Sequence, residues 1–95
     1  MSESIKETLE SRKNVHGSFW ESSAACIRLK DTMMSAPNWT VMEPAKQRAL
    51  EMVMEKVSRI LWGDHNFADH WHDIAGYVSL IDNYITTSNE RGQNE

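Results

Sequence analysis

Apolar residues recur along the chain with the spacing of α-helices, and no stretch alternates apolar and polar residues as a strand does. The strongest stripe, with i, i+3, i+4, i+7 spacing, lies in segment 43–62 and consists of Leu50, Val53, Met54, Val57, Ile60 and Leu61. Similar stripes predict helices at about 18–35 and 67–86. A weaker polar helix precedes them, with little on its apolar face beyond Ile5 and Leu9. The pattern predicts an all-α bundle of three main helices.

Prolines, glycines and polar caps set the predicted ends of the helices. Ser18 and Asn66 are predicted N-caps, and Pro44 takes a first-turn position where its missing N–H is harmless. Pro37 and Gly63 end the helices that precede them. The chain is therefore divided into 1–14, a polar arm or short helix; 15–87, one helical domain; and 88–95, a polar tail predicted to be disordered.

Composition excludes several classes of protein. The 14 acidic residues outnumber the 10 basic ones, which are scattered, so nucleic-acid binding is not expected. No apolar run is long enough to span a bilayer. A single cysteine, Cys26, cannot form an internal disulfide and sits among apolar helix neighbours, which favours a buried thiol. Together these features predict a cytoplasmic protein that does not associate with membranes.

The supply of large apolar residues exceeds what a minimal core requires. Four tryptophans and six methionines occur in 95 residues, which favours a subunit interface or a ligand pocket. Gly76 and Leu80 lie on the side of the last helix that faces away from its apolar stripe. A solvated face needs neither residue, so another helix or a ligand is expected to approach there. We therefore expect a homo-oligomer.

Acidic residues dominate the start of the last helix. When its core stripe is centred between Trp71 and Val78, a rotation of about 100° per residue makes Asp69 and Asp73 point away from the core. The same construction on the preceding helix groups Glu51, Glu55 and Trp62 away from its stripe. A short turn joins the two helices, which should therefore pack antiparallel.

If both acidic faces turn the same way, four carboxylates come within reach of one another. Paired carboxylates across helices bind hard divalent cations in helical bundles, and magnesium also bridges to phosphates. Lys56, Arg59 and the histidines could then hold phosphate oxygens. The alternative is purely structural: Glu51, Glu55 and Arg59 form an ordinary charge ladder, and acidic residues stabilise a helix start.

The histidines admit other interpretations. His65, His70 and His72 suggest a zinc cluster, but side chains two positions apart on a helix diverge, which disfavours it. His16 is either a hydrogen-bonded turn residue or a ligand contact, and the sequence leaves both open. No turn of the kind that presents a nucleophilic serine frames the serines of this chain.

Four motifs carry a resemblance to a known family. They are Arg12-x-x-x-His16-Gly17-x-Phe19; Ser35-Ala36-Pro37-Asn38-Trp39; Lys56-Val57-Ser58-Arg59-Ile60-Leu61-x-Gly63-Asp64; and Asp69-His70-Trp71-His72-Asp73-Ile74-Ala75-Gly76-Tyr77. Over residues 12–86 the chain resembles small proteins of tailed bacteriophages and prophages. Those proteins in turn look like relatives of the MazG-like, all-α nucleoside triphosphate pyrophosphohydrolases. The resemblance implies a location in the cytoplasm of a bacterial host.

The resemblance also implies a site. MazG-like enzymes carry two acidic pairs on consecutive helices, which bind magnesium while water attacks the triphosphate. The implied metal ligands are Glu51, Glu55, Asp69 and Asp73, with Mg²⁺ or Mn²⁺ as the cofactor. Glu55 and Asp73 would be the catalytic carboxylates. The implied nucleotide contacts are Lys56 and Arg59 on phosphates, Trp62 on the base, and His70.

The chain departs from the family pattern at three places. Both acidic pairs are spaced i, i+4, whereas the enzymes typically use i, i+3. His70 occupies the position three before Asp73 where an acid is expected, and Ser18 stands where relatives of the phage family often place aspartate.

Three functions follow as competing hypotheses. The first is a metal-dependent pyrophosphohydrolase of nucleoside triphosphates. The second is a phage protein that binds or sequesters a nucleotide without turnover, which does not need intact acidic pairs. The third is a helical interaction module for a host or phage protein, which the surplus of apolar residues would suit.

Overall fold

The computed structural model describes residues 3–94, with side chains from 4 to 89. The described chain forms four α-helices and one short 3₁₀ turn, and it contains no strand. The helices are α1 (Glu3–His16), α2 (Phe19–Met34), α3 (Pro44–Trp62) and α4 (Ala68–Asn94); the 3₁₀ turn (Trp39–Val41) lies between α2 and α3. The all-α prediction is confirmed for this part of the chain.

The local signals place α2 and α3 within one residue of their predicted bounds. Pro44 opens α3 at a first-turn position, and Gly63 follows its last residue. Ser18 precedes α2 in an extended conformation, but its side chain makes no capping hydrogen bond. The backbone carbonyl of Ser18 instead accepts the N–H of Ser22 at 2.9 Å.

The cap and the C-terminal end of α4 differ from the prediction. The helix begins at Ala68, and the predicted cap Asn66 belongs to the preceding turn, where its N–H donates to the Asp64 carboxylate at 2.9 Å. At the other end α4 continues to Asn94 through the segment predicted to be a disordered tail. No proline follows Thr86 in the sequence, so no residue there lacks the N–H that the helical hydrogen bonds need. Residues 1, 2 and 95 of the predicted arm and tail lie outside the described residues.

Helix α3 is the centre of the molecule. It packs against α4 on one side and α2 on another, and α1 also reaches it. The contact between α1 and α3 brings two turns together. A Cβ on Gly17 would collide with the carbonyl of Trp62, and a Cβ on Gly63 would collide with the carbonyl of Val15. The N–H of Asp64 donates to that same Val15 carbonyl at 2.8 Å. Gly17 has φ +83°, which favours glycine. We call this contact the glycine joint.

The chain buries little on its own. Among the described side chains only four are buried: Ala25, Cys26, Ser58 and His70. Burial of the Cys26 thiol agrees with the sequence prediction. The apolar stripe of α3 is mostly half-buried, and the molecule measures 62 × 27 × 22 Å. No helix in the described chain is apolar over enough residues to cross a membrane.

Candidate anion-binding cleft

The face that α4 turns towards the rest of the bundle is rotated from the predicted one. His70 is 1% exposed, whereas Trp71 and Val78, the predicted centre of the stripe, are 54% and 47% exposed. The packed stripe has helical spacing and consists of Phe67, His70, Ile74, Tyr77 and Ile81. The physical reason lies in the adjacent turn, because the indole N–H of Trp71 donates to the His65 carbonyl at 2.8 Å. That bond holds the tryptophan over the turn.

His70 is buried against a histidine from the other end of the sequence. Its Nε2 lies 3.2 Å from Nδ1 of His16, and the ring of Phe67 makes a T-shaped contact with each imidazole. Burial is the main cause that lowers the pKa of both histidines, and the positive charge of Arg59 adds to it. His16, the last residue of α1, thus makes the hydrogen bond that one of its two predicted roles requires, and its role as a ligand contact stays a prediction.

The first predicted carboxylate pair is divided between two basic side chains. Glu51 contacts Arg48 at 3.5 Å on α3 itself. Glu55 reaches across to α2, where it pairs with Lys30 at 3.2 Å. These contacts direct Glu55 towards the side of α3 that α2 covers.

The α4 carboxylates lie elsewhere. Asp73 pairs with Lys56 of α3 at 2.8 Å, and that hydrogen bond holds the pKa of Asp73 below its ordinary value. Asp69 is exposed. Glu55 and Lys56 are neighbours on a helix, so their side chains leave α3 about 100° apart. Glu55 therefore faces α2 while Asp73 lies beside the α4 face of α3.

The four carboxylates therefore do not form one ligand set within a single chain. Among the side chains that the structure describes, 4 to 89, no group of three or more histidine, cysteine, aspartate or glutamate side chains is arranged to hold a metal ion. The donor set that the resemblance implies for magnesium does not fit this arrangement, since three of the acids already face a lysine or arginine. The sequence could not reveal which neighbour covers the second face of α3.

Basic side chains converge at a different place. A cleft of about 590 Å³ lies between α1, α2 and the C-terminal half of α3. Its charged lining consists of Arg12, Lys13, Lys30, Arg59 and Glu55. Within the described residues the lining thus carries four cations against one carboxylate, in a chain whose net charge is −4. We call this site the basic cleft.

Three helices supply the side chains that line the basic cleft. Helix α1 contributes Arg12 and His16, which share a face because they lie four residues apart. Helix α2 contributes Lys30 and, at the rim, Phe19, which is 71% exposed. Burial is the largest cause that lowers the pKa of His16, and the positive charges of Arg59 and Arg12 lower it further.

Of the four predicted nucleotide contacts, only Arg59 lines the basic cleft. Lys56 is bound to Asp73, and His70 is buried against His16. Trp62 lies at the glycine joint. Sequence reasoning missed the contributions of α1 and α2, although the Arg12-x-x-x-His16 spacing was a usable signal.

A second groove of about 570 Å³ runs between the N-terminal part of α3 and the C-terminal part of α4. It is mostly apolar, and Leu80 and Tyr84 stand exposed beside it at 69% and 54%. Gly76 faces open space, because a Cβ there would meet no atom within 4 Å. No part of the described chain approaches Gly76, and the helix or ligand expected there stays a prediction.

Comparisons with family models, with curated proteins and with solved structures found no match to this chain.

Proposed function

We propose that this protein binds a nucleotide or a similar small phosphorylated ligand in the basic cleft and does so without metal-dependent turnover. The observation that carries the proposal is the gathering of Arg12, Lys13, Lys30 and Arg59 around one cavity of about 590 Å³ in an acidic chain. These four cations repel one another. A polyanion bound between them attracts each cation and so offsets that repulsion.

The chemistry of the lining suits a nucleotide in particular. Guanidinium groups such as those of Arg12 and Arg59 form paired hydrogen bonds with phosphate oxygens, and lysines add point charge. Phe19 at the rim offers an aromatic face to a base. Glu55 neutralises only part of the charge, because Lys30 holds it at 3.2 Å.

The pyrophosphohydrolase function that the bacteriophage and MazG-like resemblance implies stays a prediction. Glu55 is the one predicted metal ligand that the described lining of the basic cleft includes. Asp73 lies beside the other face of α3, where Lys56 binds it. Binding without turnover makes use of the basic residues and needs no shared carboxylate cluster. The interaction-module function likewise stays a prediction.

We also propose that the protein works as a homo-oligomer. The chain exposes 7048 Å², about 1,400 Å² more than expected for a compact monomer of its mass. Its radius of gyration is 17.0 Å, whereas a compact chain of this length has about 12 Å. A standard interface takes about 800 Å² from each partner. The excess surface is therefore enough for a specific subunit contact.

The test is calorimetric titration of the full chain with nucleoside triphosphates and inorganic triphosphate at low salt, with a chelator and then with magnesium. We expect binding that survives the chelator, weakens with added salt and yields no pyrophosphate. Arg12→Gln and Arg59→Gln should each weaken binding about tenfold or more, because each removes charge-assisted hydrogen bonds.

The matched control is Arg48→Gln, which removes the same charge from α3 outside the basic cleft. It should leave the affinity unchanged. Magnesium-dependent pyrophosphate release that Asp73→Asn abolishes would instead support the pyrophosphohydrolase. If no phosphorylated compound binds at low salt, the proposal is wrong.

A further inference from the structure

An uncovered apolar stripe adjoins the basic cleft. It lies on α2 and consists of Phe19, Trp20, Ile27 and Met34, which are 71%, 80%, 58% and 51% exposed. A rotation of about 100° per residue places all four within roughly one quadrant of the helix. Phe19 and Ile27 also line the basic cleft, so the stripe forms its rim. We call these four residues the α2 stripe.

Helix α1, on the opposite rim, is weakly held. Every described side chain from 4 to 14 is exposed, including Leu9, which lines the basic cleft at 51% exposure. An isolated helix of 14 residues is marginal in water, because nucleation is costly and few side chains add packing. Both rims therefore present apolar surface that the described chain leaves uncovered.

We propose that a second copy of this chain packs its α2 stripe against the α2 stripe of the first, about a two-fold axis, and so closes the basic cleft of both. The proposal rests on the proposed function of that cleft. A two-fold interface uses the same patch on both subunits, so one apolar stripe is sufficient. The chain as a whole exposes about 1,400 Å² more than a compact monomer of its mass, which leaves room for the roughly 800 Å² that each subunit of a stable dimer buries. The α2 stripe includes Trp20, the most exposed large apolar side chain in the described part of the chain.

The consequence is a ligand site that is incomplete in one chain. In the monomer the basic cleft opens between two apolar rims, and water screens its cations. In the dimer the partner's stripe covers the α2 rim, which lowers the local dielectric and strengthens the attraction for an anion. Ligand and second copy then stabilise one another, because each binds better when the other is present.

The first test measures association of the full chain by sedimentation equilibrium across the micromolar range. We expect a dimer, and we expect the double substitution Trp20→Ser, Met34→Ser to raise its dissociation constant by about tenfold or more. Neither residue lines the basic cleft. The control is Leu80→Ser, Tyr84→Ser, which removes equally exposed apolar side chains from the α3–α4 groove and should leave the dimer intact.

A second measurement does not depend on the stability of those variants. In a Cys26→Ser background, Trp20→Cys places one exposed thiol on the stripe, and mild oxidation should link two copies through it. Leu80→Cys in the same background should not cross-link. A monomeric wild-type chain, or cross-linking through Leu80→Cys alone, overturns the proposal.

Inorganic triphosphate as the probe separates the two proposals. We expect it to lower the dimer dissociation constant of the wild-type chain. A chain that binds triphosphate as a monomer refutes the stripe interface and the proposed homo-oligomer, and leaves phosphate binding in the basic cleft standing. A dimer through the stripe that binds no phosphorylated compound refutes the proposed function instead. A dimer whose dissociation constant triphosphate does not change contradicts closure of the basic cleft by the partner.

Discussion

Nδ1 of His16 and Nε2 of His70 lie 3.2 Å apart, although 54 positions separate the two residues in the sequence. At this distance one ring donates a proton and the other accepts it, which requires at least one neutral imidazole. Burial lowers the pKa of both rings and favours the neutral form. The pair thus joins the end of α1 to the start of α4 only while it remains at most singly charged.

This pair predicts a loss of stability in mild acid. Because the pKa of each ring lies below 6.5 in the folded chain, the unfolded chain takes up protons first as the pH falls through that value. The free energy of unfolding should be constant above this window and decline below it, before the carboxylates titrate. Urea denaturation at pH values between about 7 and about 5 measures the decline.

The control for the pH prediction is His72, an exposed histidine on the same helix. His70→Gln should remove much of the decline, whereas His72→Gln should leave it unchanged. An equal decline in all three chains would show that the pair does not cause it.

Asp73 and Asp69 should differ in their effect on stability. Asp73 binds Lys56, whose side chain is only 13% exposed, so Asp73→Asn leaves a mostly covered ammonium without its carboxylate. Asp69→Asn removes the same charge one turn earlier from an exposed position. Thermal unfolding should therefore show a lower Tm for Asp73→Asn than for Asp69→Asn. Equal Tm values would contradict a structural role for the Lys56–Asp73 pair.

The rate at which a thiol reagent labels Cys26 should measure how often the wall of the basic cleft opens. Cys26 is the only cysteine, it is buried, and it lines the cleft wall. A thiol reagent should label it more than about tenfold more slowly in the folded chain than in urea, because labelling requires local opening. Inorganic triphosphate should slow labelling further. A folded chain labelled as fast as the unfolded one would show that the α2–α3 packing opens freely.

Replacing Gly76 or Gly17 with alanine should change the free energy of unfolding in opposite directions. Gly76 lies in α4 beside open space, so Gly76→Ala should raise the free energy of unfolding by about 0.5–1 kcal/mol through helix propensity. Gly17→Ala should lower it by more than about 1 kcal/mol, because the new Cβ meets Trp62 and φ is +83°. Urea denaturation compares them. If Gly76→Ala destabilises the protein, another helix or a ligand packs at that position.

The helices were predictable because their signals are local. Pro44 and Gly63 fix the ends of α3 through backbone chemistry that does not depend on the rest of the fold. The end of α4 was not predictable in this way, because polar composition in the segment after 87 suggested disorder, whereas the segment contains no proline and the helix continues through it.

The faces of the helices were harder to predict, since they depend on distant partners. Trp71 is more apolar than His70, and hydrophobicity alone favours burying the tryptophan. The structure does the opposite, because His16 and the His65 carbonyl supply partners that no pattern within α4 reveals. The same limit applies to the basic cleft: Arg12, Lys30 and Arg59 lie on three helices, and only their packing makes them neighbours.

The glycine joint has a consequence for the order of folding. Each helix packs on the next one along the chain, whereas the joint connects α1 to α3 across an intervening helix. Closing that longer loop loses more chain entropy, so we expect the joint to form after the rate-limiting barrier. In stopped-flow kinetics Gly17→Ala should then speed unfolding and scarcely alter the refolding rate. The glycine joint would thus govern how long the molecule stays folded rather than how fast it folds.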